Sequence, residues 1–317
     1  MTLRHAGSIE LPEHRTPGGF DHAAVHRGRR RLYVAHTANA AVDVIDLTQD
    51  AYVGSIDGLP GVAGALASDD LDLVITSNRD ADTVSVIDAG DHTVLATIAV
   101  GARPNGLALD AGRGVLLVAG VGEPFSLTIV DVVHGTRIAS IPAPGRTRWA
   151  VYDPDGDAFF VNIADPPSIV VVDAGEPTAI SMSIPVDVPG PHGLDVDSKG
   201  RLYCACDGGA LVIIEPPSYG VRKHLPLAGK PDVIFLDEGR ARLYVAIGDP
   251  GLIQVFDVAH GSHVHTIDTE PGAHTIALDP DRHRIHAFLP MTHRAAAFED
   301  GPDPAAAAGF WRDLPAW

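Results

Sequence analysis

The chain has 317 residues, of which 41 are acidic and 23 basic, so its formal net charge at pH 7 is −18. This negative balance argues against binding to nucleic acid or to an anionic membrane surface, because both attract basic proteins. The first ten residues lack the apolar stretch of a secretory signal, and no apolar run approaches the roughly 20 residues of a membrane span. We therefore expect a cytoplasmic protein whose partner is a small molecule.

The composition favours short strands joined by turns. There are 33 Gly and 25 Pro, while 20% of the residues are charged, a balance that suits turn-rich β structure better than long helices. The two cysteines, Cys204 and Cys206, lie two residues apart on one predicted strand. Cα atoms at this spacing are near the upper distance limit for a disulfide, so we do not expect an intrachain bridge.

One unit is repeated seven times along the chain. The second apolar run of successive units ends at residues 36, 78, 120, 162, 206, 247 and 289, at intervals of 41 to 44 residues. This period matches the roughly 40–50 residues of a four-stranded propeller blade. In the third unit the predicted strands are 107–109, 115–118, 127–131 and 137–141, separated by turn-forming sequences. The sequence therefore predicts an all-β, seven-bladed β-propeller with four-stranded blades.

The seventh unit lacks its fourth strand. The segment 6–9 at the other end of the chain, Ala-Gly-Ser-Ile, is similar to Val-Gly-Ser-Ile at 53–56 in the first unit. We expect it to complete the last blade and close the ring, because an open array would leave long sheet edges exposed. The prediction is one propeller domain over residues 1–299, followed by a C-terminal tail, 300–317, whose aromatic side chains dock on the propeller.

These units resemble the YVTN-repeat family of propeller proteins. The family repeat runs P-x-G-I-A-V, then Y-V-T-N, then T-V-S-V-I-D, and the last part is present as Thr83 to Asp88. The resemblance extends over nearly all of residues 1–299 and implies the propeller fold. It does not imply one function, because the family includes binding proteins, surface proteins and enzymes. His36 stands where the family pattern has Asn.

Two rings of side chains are expected around the mouth of the central channel. The loop that enters the first strand of a blade and the loop that leaves the second strand open on the same face. Aligned by repeat, the entry ring is Asp21, Ala63, Asn105, Arg148, His192, Asp232 and His274. The exit ring is His36, Asn78, Gly120, Asn162, Cys206, Ile247 and Leu289.

The entry ring contains a run of candidate metal ligands. Blades 5, 6, 7 and 1 are contiguous in the closed ring, and they supply His192, Asp232, His274 and Asp21. Imidazole and carboxylate donors suit one divalent ion, Zn²⁺, Mn²⁺, Fe²⁺ or Ca²⁺. The alternative is that these residues hydrogen-bond local backbone, as Asp, Asn and His often do at tight turns.

The remaining polar positions suggest catalytic roles. Arg148 and Asn105 are donors that could hold a carboxylate, a phosphoryl group or a developing oxyanion. His22 or His36 would be the general base, and Trp149 would form a wall of the pocket. A rival is a thiolate–imidazole pair of Cys206 and His192, which the same blade supplies.

The first functional hypothesis is a metal-dependent hydrolase of a small ester, lactone or phosphotriester-like substrate. Propeller lactonases of the gluconolactonase type are similar in architecture, with a metal at the channel mouth, but their ligand pattern is not matched residue by residue. The second hypothesis is a non-catalytic propeller that binds a protein or small ligand on the same face. The third is a metal-assisted lyase or isomerase.

Overall fold

The protein is described from a computed structural model that covers residues 2–301. The tail expected to dock on the propeller lies, from residue 302 onward, outside these residues. Seven antiparallel sheets of four strands are present. No helix in residues 2–301 is long and apolar enough to cross a membrane.

The strands follow one another regularly from blade to blade. The N-terminal strand is β1 (Thr2–Glu10). Blade 1 consists of β2 (Phe20–His26), β3 (Arg31–His36), β4 (Ala41–Asp46) and β5 (Ala51–Asp57). Blade 2 consists of β6 (Val62–Ser68), β7 (Leu73–Asn78), β8 (Thr83–Asp88) and β9 (Val94–Ala99). Blade 3 consists of β10 (Pro104–Asp110), β11 (Val115–Gly120), β12 (Ser126–Asp131) and β13 (Thr136–Pro142). The strands predicted in this third unit are thus confirmed to within three residues at each end.

The remaining four blades repeat the pattern. Blade 4 consists of β14 (Thr147–Asp153), β15 (Ala158–Ile163), β16 (Ser168–Asp173) and β17 (Ile180–Pro185). Blade 5 consists of β18 (Pro191–Val196), β19 (Leu202–Cys206), β20 (Ala210–Glu215) and β21 (Gly220–Pro226). Blade 6 consists of β22 (Pro231–Asp237), β23 (Arg242–Ile247), β24 (Leu252–Asp257) and β25 (Ser262–Asp268). Blade 7 begins with β26 (Ile276–Asp279), β27 (Arg284–Leu289) and β28 (Arg294–Gly301).

The N-terminal strand closes the ring, as the repeat predicts. β1 pairs antiparallel with β28, from Thr2 opposite Gly301 to Glu10 opposite Arg294, and is the outermost strand of blade 7. The first strands contact one another in order from β2 to β26, and β26 contacts β2. Pairing between the two ends of the chain therefore holds the ring closed and removes a free edge from β28.

The core lies between neighbouring blades, so the inner strands are apolar on both faces. Tyr33 of blade 1 is fully buried and packs with Val74 and Ile87 of blade 2. Outer strands have only one covered face, and in β9 Ile98 is buried while Leu95 is exposed. This pattern is what burial between two sheets requires.

A bulge at the start of the first strand positions each entry residue in blades 1 to 6. The register between first and second strands shifts at Phe20/Ala23, Val62/Ala65, Pro104/Gly106, Thr147/Ala150, Pro191/Gly193 and Pro231/Ile234. Each entry residue lies within such a shift, so its side chain is not held in the pleat of the strand and can be directed into the channel. In blade 7, His274 precedes β26.

Glycine after the entry residue allows neighbouring blades to approach closely. A Cβ atom at Gly106 would lie 2.5 Å from the carbonyl oxygen of Arg148 in the next blade. A Cβ atom at Gly193 would likewise lie 2.4 Å from the carbonyl oxygen of Asp232. Only glycine fits at such a distance from a neighbouring backbone, which explains the recurring Pro-x-Gly sequence.

Candidate functional site

Six polar entry residues converge on one cavity at the channel mouth, with a volume of about 330 Å³. They are Asp21, Asn105, Arg148, His192, Asp232 and His274, and the cavity is also lined by His22, Arg79, Arg103, Val121 and Arg146. Ala63, the seventh entry residue, is fully buried outside it. We call this space the mouth cavity.

Arg79 and Arg148 form the inner cationic part of the mouth cavity, and both are half-buried. Nη1 of Arg79 lies 3.0 Å from Oδ2 of Asp21, and Nη2 donates to Oδ1 of Asn105. The buried Nε–H groups of Arg79 and Arg148 have no acceptor among the described residues. A buried donor without an acceptor is costly and indicates space for a missing partner. The Nε–H groups of Arg242 and Arg284, away from the mouth, also lack an acceptor within residues 2–301. An unpaired Nε–H therefore indicates a ligand site only where, as in the mouth cavity, several positive charges lie together.

His192 lies between two carboxylates. Its Nδ1 is 2.9 Å from Oδ1 of Asp207, and its Nε2 is 3.3 Å from Oδ1 of Asp232. Burial alone would lower the pKa of His192, but the hydrogen bonds to Asp207 and Asp232 outweigh it and raise the pKa to about 9. The imidazole is therefore a cation at neutral pH, with both N–H groups donated to carboxylates.

The contact between Arg148 and His192 joins two donors. Nη1 of Arg148 lies 3.2 Å from Nε2 of His192, which carries a proton at neutral pH. Burial lowers the pKa of Arg148 below its usual value, and the positive charge of Arg146 lowers it further. The guanidinium nevertheless stays charged at neutral pH. Asp207 lies against both cations, with its Oδ2 3.8 Å from Nη2 of Arg148, and a further anion bridging them would add to their stabilisation.

Asp232 and His274 complete the opposite side. Burial alone would raise the pKa of Asp232, but the hydrogen bond and charge of His192 outweigh it and hold the pKa well below the usual range. Nε2 of His274 is 3.9 Å from Oδ2 of Asp232, and its Nδ1 lies 2.8 Å from the carbonyl oxygen of Gly272. Asp232 is thus an ionised carboxylate between two imidazoles.

His22 forms the floor of the mouth cavity. Its side chain is buried, and its Nε2 lies 3.3 Å from Oδ1 of Asp21. Burial lowers the pKa of His22, so the ring is neutral at pH 7. The ring packs on Trp149 with centroids 4.1 Å apart. Trp149 does not wall the mouth cavity as expected; it lies beneath His22 and faces a second cavity.

The exit ring does not converge on the mouth cavity. None of its seven residues lines the cavity, and His36, Asn162 and Cys206 are fully buried. Two of the residues that follow them line the cavity instead: Arg79 after Asn78, and Val121 after Gly120. Successive residues of a strand point to opposite faces, so a displacement of one residue exchanges interior and channel positions.

His36 lies away from the predicted reaction site. Its Nδ1 is 2.7 Å from Oδ2 of Asp43 and its Nε2 is 2.7 Å from Nδ1 of His14, and the ring packs on Phe20. It does not line the mouth cavity, so of the two candidate bases only His22 lies there.

The cysteine–histidine pair is not assembled. The thiol of Cys206 lies 3.7 Å from that of Cys204, both residues are fully buried, and neither forms a disulfide. His192 contacts Asp207, the residue after Cys206, in place of the thiol. Asn162 also has a structural role, since its Nδ2 donates to the carbonyl oxygens of His192 and Gly193 in the next blade.

The four predicted metal ligands all line the mouth cavity but are engaged with other partners. His192 uses both ring nitrogens on carboxylates, and Asp21 pairs with Arg79. Within residues 2–301, no group of three or more His, Cys, Asp or Glu side chains has the arrangement of a metal site. The metal therefore stays a prediction.

Sequence reasoning identified Arg148 but missed Arg79, Arg103, Arg146 and Asp207. Arg103 and Arg146 occupy the same repeat position, two residues before the entry residues Asn105 and Arg148, and Lys230 occupies it in blade 6. A basic residue recurring at one repeat position was a signal that could have been found. Asp207 directly follows the exit-ring residue Cys206, so predicting it required placing the exit ring one residue further along the chain.

No protein-family model matches the sequence, and no curated protein matches it. Among solved structures, the fold is similar to a chain of Kuenenia stuttgartiensis hydrazine synthase, with a TM-score of 0.81 and 16% identity. That match covers 92% of this chain and 98% of the other. A chain in a crystal structure of the mitotic checkpoint complex matches with a TM-score of 0.81 and 12% identity, over 94% of this chain and 92% of the other. These likenesses show the β-propeller fold, and the fold does not decide between catalysis and binding.

Proposed function

We propose that this propeller binds a small organic anion, a carboxylate or phosphate compound, in the mouth cavity. The observation that carries the proposal is the charge of the lining. Four guanidinium groups and the His192 imidazolium face two lining carboxylates, or three with Asp207 included. This excess of positive charge occurs in a chain whose net charge is −18, so it is opposite in sign to the molecule as a whole.

The arginines of the mouth cavity could both attract an anion from solution and form specific hydrogen bonds to it. Arg103 and Arg146 are exposed at the rim, where positive side chains attract a diffusing anion. Arg79 and Arg148 lie deeper, with unsatisfied Nε–H donors. A planar guanidinium fork suits carboxylate and phosphate oxygens, and charge-assisted hydrogen bonds of this kind are stronger than neutral ones. The ligand anion would bridge the adjacent Arg148 and His192.

The metal-dependent hydrolase of the sequence prediction is the alternative. A divalent cation in the same cavity would face four guanidinium groups and would have to displace the carboxylate contacts of His192. Both effects oppose metal binding, and for this reason we favour the anion. The repeated motif supports the further proposal that the chain is a YVTN-repeat propeller.

Calorimetric titration with inorganic phosphate and with citrate tests the proposal. We expect binding that weakens with added salt, and an affinity about tenfold lower in Arg148→Gln, because a buried charge-assisted contact is lost. Arg222→Gln is the matched control, since Arg222 is an exposed arginine outside the mouth cavity that pairs with Glu215.

Two results would contradict the proposal. One is that neither phosphate nor citrate binds. The other is that Arg148→Gln and Arg222→Gln bind these anions with equal affinity. Elemental analysis of the same preparations separates the alternative: near-stoichiometric divalent metal that falls in both His192→Ala and His274→Ala, with turnover of lactones or aryl esters, would favour the hydrolase.

A further inference from the structure

A second and larger cavity, of about 510 Å³, occupies the other end of the channel. The first strands all run from the mouth towards this end, so its lining comes from their later residues. Its walls are mainly apolar and include Ala24, Leu66, Leu109, Val151 and Phe235. His22 and Trp149 separate it from the mouth cavity, and we call it the lower cavity.

Apart from the neutral His22 and the phenol of Tyr152, every ionisable side chain that lines the lower cavity is a carboxyl group. They are Asp153, Asp155, Asp195, Asp197 and Glu238, and no Lys or Arg is among the lining residues. Asp197 is neutralised from outside the cavity by Arg201, whose Nε lies 2.6 Å from its Oδ2. Glu238 accepts hydrogen bonds from the amide and hydroxyl of Ser198 at the rim.

Among the described residues Asp195 lies in the wall without a paired cation, as do Asp153, Asp155 and Glu238, and only Asp197 has one, Arg201. Oδ1 of Asp195 accepts from the amide of Val196 at 2.9 Å, and its Oδ2 accepts from the amide of Leu236 at 2.7 Å. Within the described residues it forms no salt bridge. Burial raises the pKa of the Asp195 carboxyl to about 7, although these two amides act to lower it. An ionised carboxylate in apolar surroundings is costly unless a cation accompanies it.

Aromatic rings in the same cavity are a second feature that suits a cation. Trp149 and Phe235 line the wall with their ring planes nearly perpendicular, at 88°, and centroids 6.4 Å apart. Faces of Trp and Phe attract ammonium groups through the ring quadrupole. The volume is within the range of small-molecule sites, and the aliphatic walls would cover a hydrocarbon body.

We propose that the lower cavity is a second binding site, for an organic ammonium ion with an apolar body, whose charged group pairs with Asp195 in the cavity that Trp149 and Phe235 also line. This site is independent of the anion proposed for the mouth cavity. A hydrated metal ion fits less well, because the apolar walls would replace water ligands with hydrocarbon.

Titration with 2-phenylethylammonium at pH 8, followed by calorimetry, tests the proposal. The isosteric anion 3-phenylpropionate is the ligand control. We expect binding of the amine alone, and about 30-fold weaker binding in Asp195→Asn, because one partner of a partly buried charge pair is removed. Asp155→Asn removes an exposed carboxyl from the same cavity and is the matched control, with an effect below about threefold.

The pH dependence of the wild-type affinity provides a measurement that needs no variant. Binding should tighten about tenfold from pH 6 to pH 8 as Asp195 ionises. Burial lowers the pKa of His22, which favours the neutral ring over this range. The other charged groups facing Asp195 or lining the cavity are Asp153, Asp155, Asp197 and Glu238.

Absence of amine binding, equal binding of the amine and 3-phenylpropionate, or an affinity independent of pH would each overturn the proposal. Equal affinity in a folded Asp195→Asn and in Asp155→Asn would do so as well, with near-ultraviolet circular dichroism as the check on folding. Because the mouth cavity is the site proposed for phosphate and citrate, their titrations succeed or fail separately.

Discussion

The two ends of the channel are built from the same seven first strands and yet differ in charge. The mouth cavity is lined by four arginines and a protonated histidine, whereas the ionisable groups of the lower cavity, apart from the neutral His22 and the phenol of Tyr152, are carboxyls. The entry residues of blades 1 to 6 lie at bulges, where side chains leave the pleat. The lower walls lie on regular strand, where alternate residues face the channel. Repetition of one unit therefore fixes the positions of the side chains but leaves their chemistry free to differ at each end.

The lower cavity should have its own pH window for stability. The folded pKa of Asp195 is raised to about 7 from 3.8, so the folded state binds the proton more tightly than the unfolded chain. The resulting stability is present at low pH and is lost as the pH rises through about 7. Between pH 4 and pH 8, wild type should lose about 3 kcal/mol of unfolding free energy relative to Asp195→Asn. Urea denaturation at several pH values measures this, and parallel curves for the two proteins would contradict it.

The contribution of the mouth cavity to the unfolding free energy should change at a higher pH than that of the lower cavity. The folded pKa of His192 is raised to about 9 from 6.5, so its contribution is complete below pH 6.5 and disappears as the pH rises through 9. We expect wild type to lose about 2 kcal/mol between pH 6.5 and pH 9.5 relative to His192→Gln. His263, an exposed histidine on the outer strand of blade 6, supplies the control His263→Gln, which should keep the wild-type slope. A common slope in all three proteins would mean that His192 is not held between its carboxylates as described.

The close approach of blades 3 and 4 should affect ligand binding in the mouth cavity but not in the lower cavity. In Gly106→Ala the new Cβ would meet the Arg148 carbonyl oxygen, so the backbone that carries Arg148 has to shift. We expect a loss of about 1 to 2 kcal/mol of unfolding free energy, with weaker phosphate binding but unchanged amine binding. Gly112→Ala, in an open turn with its nearest neighbour at 3.4 Å, should change stability by less than about 0.5 kcal/mol. Equal effects of the two substitutions would show that blade spacing does not position Arg148.

Much of the fold followed from the repeat, and part of the site did too. The seven units predicted seven four-stranded blades, and the N-terminal segment 6–9 predicted the closing strand, because both depend on local patterns of short apolar runs and turns. The entry ring was also readable, since all six of its polar residues line the mouth cavity. The exit ring was not, because an error of one residue places His36 in the blade interior and leaves Arg79 unnoticed.

The sequence by itself determined the number of blades, their strands, the closure of the ring and the residues that enter the channel. Each of these depends on short-range pattern, which repeats and can be aligned. Tertiary structure alone decided the partners: His192 between Asp207 and Asp232, Arg79 beside Asp21, and Asp195 without a cation. These contacts join blades or turns whose relative placement is set by packing. A charge acquires its role from the charges around it, and for a propeller those come from other repeats.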